Sequence, residues 1–480
     1  MSPGTVRIVL VLCMVAVPAW GAEPVAVCEL YAPGHFGNWY EVAGQREMRD
    51  LLAVAKAEGC TRYGDWFDTL DCVDPFSGDR QYSLANALWE RKRAHFRTAQ
   101  SLGLQTDLVI TPNHVYRDQL RPEWLAKSGG RVFGQLICPS VPAAREVILD
   151  NNRRLFADLA AAGVRLSAVT PAPYDYGGCN CERCQPWILT FAKLACDLHA
   201  IAREYHPGIE LHFIGWWWSP EEHRQFADWM DAHAPGLAKS ISLHIPYGKL
   251  GVADVPLPKE CARHAFVHIG HPDEPHPRDF YGLTGPVIAA KRLEQTVARL
   301  HEQGVTGVVA YSEGVYDDVN RAILSGLWHG RYRTADEALV AYAKRHFDAD
   351  EKQARRWVDW LAAWGRPFEV DAAAARKSMG TLPGDPDDWR YRQWRLKAEL
   401  FAAHAVIGSG EDWPPERVAK VEAFWSIHES LQRGVYGLGP QRHILAPQFI
   451  GLPWYKSWAD HQKQAATRPV TESEEIESQR

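Results

Sequence analysis

Eight short apolar runs, separated by amphipathic stretches, constrain this sequence more than any other feature. They lie at 26–31, 61–67, 106–111, 166–170, 211–215, 240–245, 266–269 and 307–311. Between most of them apolar residues recur at helical spacing. Three such stretches, 47–58, 143–162 and 294–303, stop at Gly59, Gly163 and Gly304. A glycine just past the last turn is the expected stop, because it enters the left-handed conformation without a Cβ penalty. This alternation predicts parallel strands joined by helical crossovers and, with eight strands, a closed (β/α)8 barrel. The competing doubly wound open sheet lacks its signature, since no GxGxxG follows the first run. Residues 121–139 read as a long loop or hairpin inserted between the third strand and its helix.

After residue 332 the pattern changes. Stretches 334–347, 350–364, 389–406 and 415–433 are helical in period, with no strand candidates between them. The expected organisation is therefore a signal peptide (1–22), the barrel (23–332), a C-terminal helical domain (333–466) and a disordered polar tail (467–480). The signal peptide is read from Arg7, the apolar run 8–17 and the small residues Ala19, Gly21 and Ala22. That run is too short to cross a bilayer comfortably. The expectation is an exported protein with no membrane contact after cleavage.

A net charge of −6 gives no electrostatic footprint for nucleic acid. Twenty tryptophans are an unusual number. Core packing accounts for most, but indole faces are also flat apolar platforms of the kind that carbohydrate sites use.

Residues 177–187 read GGCNCERCQPW and place Cys179, Cys181 and Cys184 in one loop after the fourth strand. The chain has ten cysteines, and losing Cys13 with the signal peptide leaves nine, an odd number that excludes complete internal pairing. A redox pair should open a helix, whereas Pro186 follows here. A Cys181–Cys184 disulfide is open to an exported protein. A metal clip needs a fourth thiolate, and Cys138 in GQLICPS lies near the same barrel end. A closed site of Cys138, Cys179, Cys181 and Cys184 would hold structural zinc and pin the loop carrying Asp175. Cys28, Cys60, Cys72, Cys196 and Cys261 remain unassigned, and no signature of an organic cofactor is present.

The segments ICPS, YDYGGCNCERC, REYHPGIE, YSEGVYDDVN and LWHGRY together resemble a family of glycoside-hydrolase-like barrels, distantly similar to α-glucuronidases and β-hexosaminidases. The resemblance covers about residues 130–335 and implies a barrel acting on carbohydrate. Where the hexosaminidase pattern has an Asp-Glu pair after the fourth strand, this chain has Asp175 and Tyr176, a departure from the pattern behind substrate-assisted cleavage.

Glycosidic cleavage uses two carboxyl groups, one protonated and one ionised, and barrel active sites sit at the C-terminal ends of the strands. Glu313 follows the eighth strand and Asp175 the fourth, so these two are the catalytic candidates. Glu29, Asp65, Trp66, His114, Tyr174, Trp216, Trp218, His244, Tyr247 and His271 are the expected substrate-binding residues. A structural ion pair of Glu313 with Arg321, and helix capping by Asp317 and Asp318, are the competing uses of that acidic segment. The sequence thus points to an exported glycoside hydrolase acting on a polysaccharide or oligosaccharide. The alternatives are a non-catalytic carbohydrate-binding barrel, and a metal-dependent hydrolase using His244, His268 and His271.

Overall fold

A computed structural model describes residues 26–34, 37–76, 84–128, 136–174, 177–274, 282–438 and 452–467. The expected signal peptide, the tail after Thr467, and Asp175 with Tyr176 lie outside the described residues.

Eight parallel strands close into a barrel in sequence order. They are β1 (Val27–Tyr31), β2 (Arg62–Phe67), β3 (Gln105–Ile110), β4 (Ala168–Pro171), β5 (Glu210–Gly215), β6 (Ala238–His244), β7 (Ala262–His268) and β8 (Gly307–Tyr311). Closure comes from β8 pairing with β1 along Val27–Gly307 to Tyr31–Tyr311. The strands read as apolar runs because both faces are covered, one by the barrel interior and one by helices. β7 begins four residues before its predicted start, because Ala262, Arg263 and His264 are not an apolar run yet pair with β6.

Helices α1 (Trp39–Val42) and α2 (Gln45–Glu58) follow β1, α3 (Leu84–Ser101) follows β2, and α4 (Pro142–Ala161) follows β3. α5 (Trp187–Tyr205), α6 (Pro220–His233), α7 (Ala290–Glu302) and α8 (Asp318–Trp328) follow β4, β5, β7 and β8. Residues 245–261, between β6 and β7, contain no helix. The insertion 121–139 closes at its base through the antiparallel bridge Leu125–Ile137.

The C-terminal part of the chain is helical: α9 (Ala335–His346), α10 (Glu351–Ala363), α11 (Ala372–Met379), α12 (Trp389–Ala405), α13 (Pro415–Gly434) and α14 (Tyr455–Thr467). Much of the tryptophan excess is packing here. Trp357, Trp364, Trp394 and Trp454 are almost fully buried. None of the described helices is long and apolar enough to cross a membrane.

Asp318 ties this region to the barrel. Its carboxylate accepts from Arg390 Nε of α12 at 2.7 Å, from Arg321 at 2.5 Å and from the Tyr342 hydroxyl at 2.8 Å. Burial raises its pKa, but the Arg390 and Arg321 charges outweigh burial and hold the group well below the usual carboxylate range. Arg321 also pairs with Glu58 at 3.0 Å. Arg321 is therefore engaged by Asp318 and Glu58. The aspartates do not act as helix caps either: Asp318 forms ion pairs, and the Asp317 side chain turns back onto the strand end.

Candidate active site

Alternation along the strands sorts the barrel residues into two sets. One set packs outward against the helices. The other points inward, where Tyr31, Trp66, Val109, Ile214, Trp216, Phe266 and Val309 form a separate apolar cluster. Tyr174 and Tyr311 pack against that cluster from its more exposed side. The inward set therefore ends, at the C-terminal rim, in a collar of rings.

Beneath the collar lies a polar layer from the same inward positions. Arg62 Nη1 is 3.7 Å from Glu29 Oε2 and 3.4 Å from His212 Nε2, a reach from β2 to β5 that runs through the barrel interior. His212 Nδ1 lies 2.5 Å from Ser240 Oγ, and Thr170 donates to Asp107 at 2.6 Å. Burial, then the nearby Asp107 charge, raises the Glu29 carboxyl well above its ordinary value. The predicted rim residue Glu29 is thus placed a layer deeper, in this network. Gly64 makes room for it: a Cβ there would stand 2.1 Å from Glu29 Oε1.

Glu313 sits just beyond β8 and is 7% exposed. Tyr311, two residues earlier on the same face, donates its phenol to Glu313 Oε1. Asn38 Nδ2, from the turn that caps α1, lies 3.4 Å from Oε2. The Glu313 backbone is clamped as well. Its N–H donates to Asp317 Oδ2 at 3.2 Å, and its carbonyl accepts from the Tyr316 hydroxyl. Asp317 is held in turn by Ser312 Oγ at 2.8 Å, which lies 2.6 Å from the Tyr40 hydroxyl. Burial pushes the Glu313 carboxyl up to about 7, and the Tyr311 and Asn38 hydrogen bonds oppose the rise without cancelling it. Such a group holds a proton near neutrality and can release it there, as a general acid must.

The opposite side of the mouth is built by β5 to β7. The Trp216 ring lies 3.9 Å from that of His244, 5.3 Å from His268 and 5.3 Å from Phe266, centroid to centroid. Tyr247, on the helix-free β6–β7 segment, is 55% exposed and lies 6.0 Å from His271 and 6.2 Å from His268. Trp66 meets Tyr174 at 4.7 Å, and the Tyr174 and Tyr31 hydroxyls are hydrogen-bonded. The structure therefore brings together Trp66, Tyr174, Trp216, His244, Tyr247 and His271 around the mouth, with Glu313 beyond β8.

Besides Glu29, three expected binding residues fall elsewhere. Asp65 is on the outward face of β2, where Lys92 Nζ of α3 lies 2.8 Å away and the Gly34 N–H donates at 3.0 Å. His114 is buried against Asp68, with Nδ1 2.6 Å from Oδ1. Trp218 packs between α5 and α6 on Phe191 and Phe226. The residue that replaces it at the mouth is Trp217, 49% exposed, with its ring 5.0 Å from His244. Trp217 has φ 58°, so alternation holds through Trp216 and the next two side chains, Trp217 and Trp218, are redirected. Asp175 lies outside the described residues.

Cys138, Cys179, Cys181 and Cys184 converge, with all four sulfurs within 4.8 Å of one another. None is in a disulfide. Cys138 Sγ lies 3.6 Å from Cys184 Sγ and 3.8 Å from Cys181 Sγ. Tetrahedral zinc–thiolate bonds of about 2.3 Å would separate sulfurs by roughly 3.8 Å, so the four residues fit a metal ion. Burial raises the Cys138 and Cys184 thiols, while donors reach the cluster. The Lys127 N–H donates to Cys179 at 3.4 Å, and Ser140 Oγ is 3.0 Å from Cys184 Sγ. For Cys181, burial raises the thiol, but hydrogen bonds from Cys184 and Cys179 outweigh it and bring the group to about 7. Among the described residues, His244, His268 and His271 are not a set of this kind. A groove of about 1270 Å³, lined by Asp273, Lys291, Glu294, Arg356 and Asp359, includes none of the mouth residues.

No family model matches the chain, and no curated protein matches it in sequence. Among solved structures, it is similar to GH5_18 from Streptomyces cattleya in complex with GlcNAc, at 12% identity and a TM-score of 0.40, covering 74% of this chain and 91% of that one. The GH53 catalytic domain of Ignisphaera aggregans matches at 12% identity and a TM-score of 0.37, covering 61% and 86%. The pneumococcal virulence factor StrH matches at 10% identity and a TM-score of 0.38, covering 86% and 98%. The barrel stands on this chain's own strand pairing; likenesses at this level do not identify a reaction.

Proposed function

We propose that this protein is an exported glycoside hydrolase whose barrel mouth binds a polysaccharide or oligosaccharide. The observation that carries the reading is Glu313: a buried carboxyl at the end of β8, raised to about 7 and fixed by Tyr311 and Asn38. In this reading Glu313 is the general acid that protonates the leaving oxygen. The collar rings stack on the apolar faces of sugar rings, and the neutral histidines and tyrosines bind hydroxyls. Asp175 is the proposed second carboxylate. The four-cysteine site is proposed to hold zinc; being closed by four protein ligands, that ion fixes the loop leading to α5 and takes no part in bond cleavage.

The test is the purified full chain on a glycan panel, with and without EDTA. Release of sugar that resists brief chelation and disappears in Glu313→Gln supports the reading. Binding without turnover on every glycan favours a non-catalytic carbohydrate-binding barrel. Turnover that stops at once on chelation and returns with added metal favours a metal-dependent hydrolase.

A further inference from the structure

His268 ends β7 inside the collar. Its ring lies 4.9 Å from Tyr311, 5.3 Å from Trp216 and 5.3 Å from His271. Both ring nitrogens are buried and, among the described residues, neither has a hydrogen-bond partner. Buried polar atoms in folded proteins are almost always satisfied, so an imidazole with two unmet nitrogens at the mouth of a barrel calls for a partner that the described residues do not supply. Tyr311 touches both this ring and the Glu313 carboxyl, which places His268 beside the reacting end of the site.

We infer that His268 is the residue that selects the substrate, binding a hydroxyl of an uncharged sugar whose glycosidic oxygen faces Glu313. The inference rests on the glycosidase reading and adds a substrate class to it. A neutral imidazole has one N–H and one lone pair, and a hydroxyl is both acceptor and donor, so the two match. Burial, then the His271, His244 and Arg292 neighbours, keeps His268 uncharged. The nearby described cations are already engaged. Arg62, in the layer below the collar, faces Glu29, and Arg292 donates to the His268 and His271 carbonyls at 3.1 and 3.0 Å. A sugar carboxylate would meet no free cation among them.

The experiment measures binding by calorimetry to the full-length Glu313→Gln protein, using neutral oligosaccharides and their uronic-acid counterparts. Neutral sugars should bind, and uronic acids should bind at least about tenfold more weakly. Adding His268→Ala should weaken neutral-sugar binding by about tenfold, the size of one net hydrogen bond. Removing the matching hydroxyl, with a monodeoxy sugar, should cost as much in the His268 protein and almost nothing in His268→Ala. If His268→Ala does not fold, His268→Asn, which keeps one donor, should lose less than tenfold and retain part of the deoxy effect. Unchanged affinity in folded His268→Ala, or stronger binding of uronic acids, overturns this inference while leaving the glycosidase reading intact if the wild-type chain turns glycans over. No binding and no turnover on either class overturns both.

Discussion

The Tyr311 phenol and the Glu313 carboxyl are hydrogen-bonded to each other from adjacent inward positions at the end of β8. The bond opposes the effect of burial on Glu313. It thereby tunes the proposed acid, and its consequences can be measured.

Activity should fall as pH rises through about 7, because the proposed acid loses its proton there. Tyr311→Phe removes a group that stabilises the ionised form, so the alkaline limb of kcat/KM should move to higher pH. Glu313→Gln should cost about 10²–10⁴-fold in turnover with folding intact. A Tyr311→Phe limb that stays put, or moves down, contradicts the assignment.

The same group predicts a stability trend. The folded-state value of Glu313, about 7, lies above its ordinary 4.5, so the protonated form favours the folded state. That contribution is complete below pH 4.5 and is lost as pH rises to about 7, on the order of 3 kcal/mol. Asp317, raised by burial to about 8, acts in the same direction over a similar window. Above pH 7, Glu313→Gln should therefore be more stable than the parent by urea titration, while being inactive.

The cysteine site should carry one zinc per chain by elemental analysis, and Cys184→Ser should remove it. Ser140→Ala, which deletes the hydroxyl beside Cys184, should weaken zinc affinity about 10- to 100-fold in a competition with a chromophoric chelator. A protein as purified with no metal and a mapped Cys181–Cys184 disulfide would end the zinc proposal.

Asp318→Ala leaves the buried Arg321 and the largely buried Arg390 without their shared carboxylate. Loss of one partner from a buried ion network costs roughly 3–5 kcal/mol. Chemical denaturation should show that loss, and limited proteolysis should cut first between α8 and α12.

Trp218→Ala should destabilise the fold by about 3–5 kcal/mol as a core truncation. Trp217→Ala should leave stability within about 0.5 kcal/mol and weaken glycan binding. The reverse pattern in a thermal and binding assay would show that the two rings have been assigned to the wrong sides.

Much of this was readable from residue order. The strand runs predicted eight strands, because parallel strands buried on both faces leave long apolar signatures, and seven of the eight predicted starts lie within two residues of the observed ones. The cysteine spacing named the three thiols of one loop, and the strand topology pointed to Cys138. Alternation also held an unused clue: if Trp66 points inward, Asp65 must point outward to Lys92. Other features depend on three-dimensional closure. Asn38 reaches Glu313 across 275 positions because the β1 turn lies over the end of β8. Glu29 is drawn below the rim because Arg62 and His212 share its layer. The positive φ of Trp217 gave no warning in WWW, since three identical residues carry no phase.

The helix missing between β6 and β7 has a further consequence. An extended segment covers that wall instead, with Val252 and Val255 buried and the Gln303 amide bonded to both the N–H and the carbonyl of Val252 at 3.0 and 2.8 Å. A crossover without a helical face has no heptad or turn count to preserve, and lengthening an irregular loop twofold costs only about 0.6 kcal/mol. Tyr247 rides on this same segment, so evolution can change the reach and width of the cleft here by inserting or deleting residues one at a time, without disturbing the strands that carry Glu313 and His268.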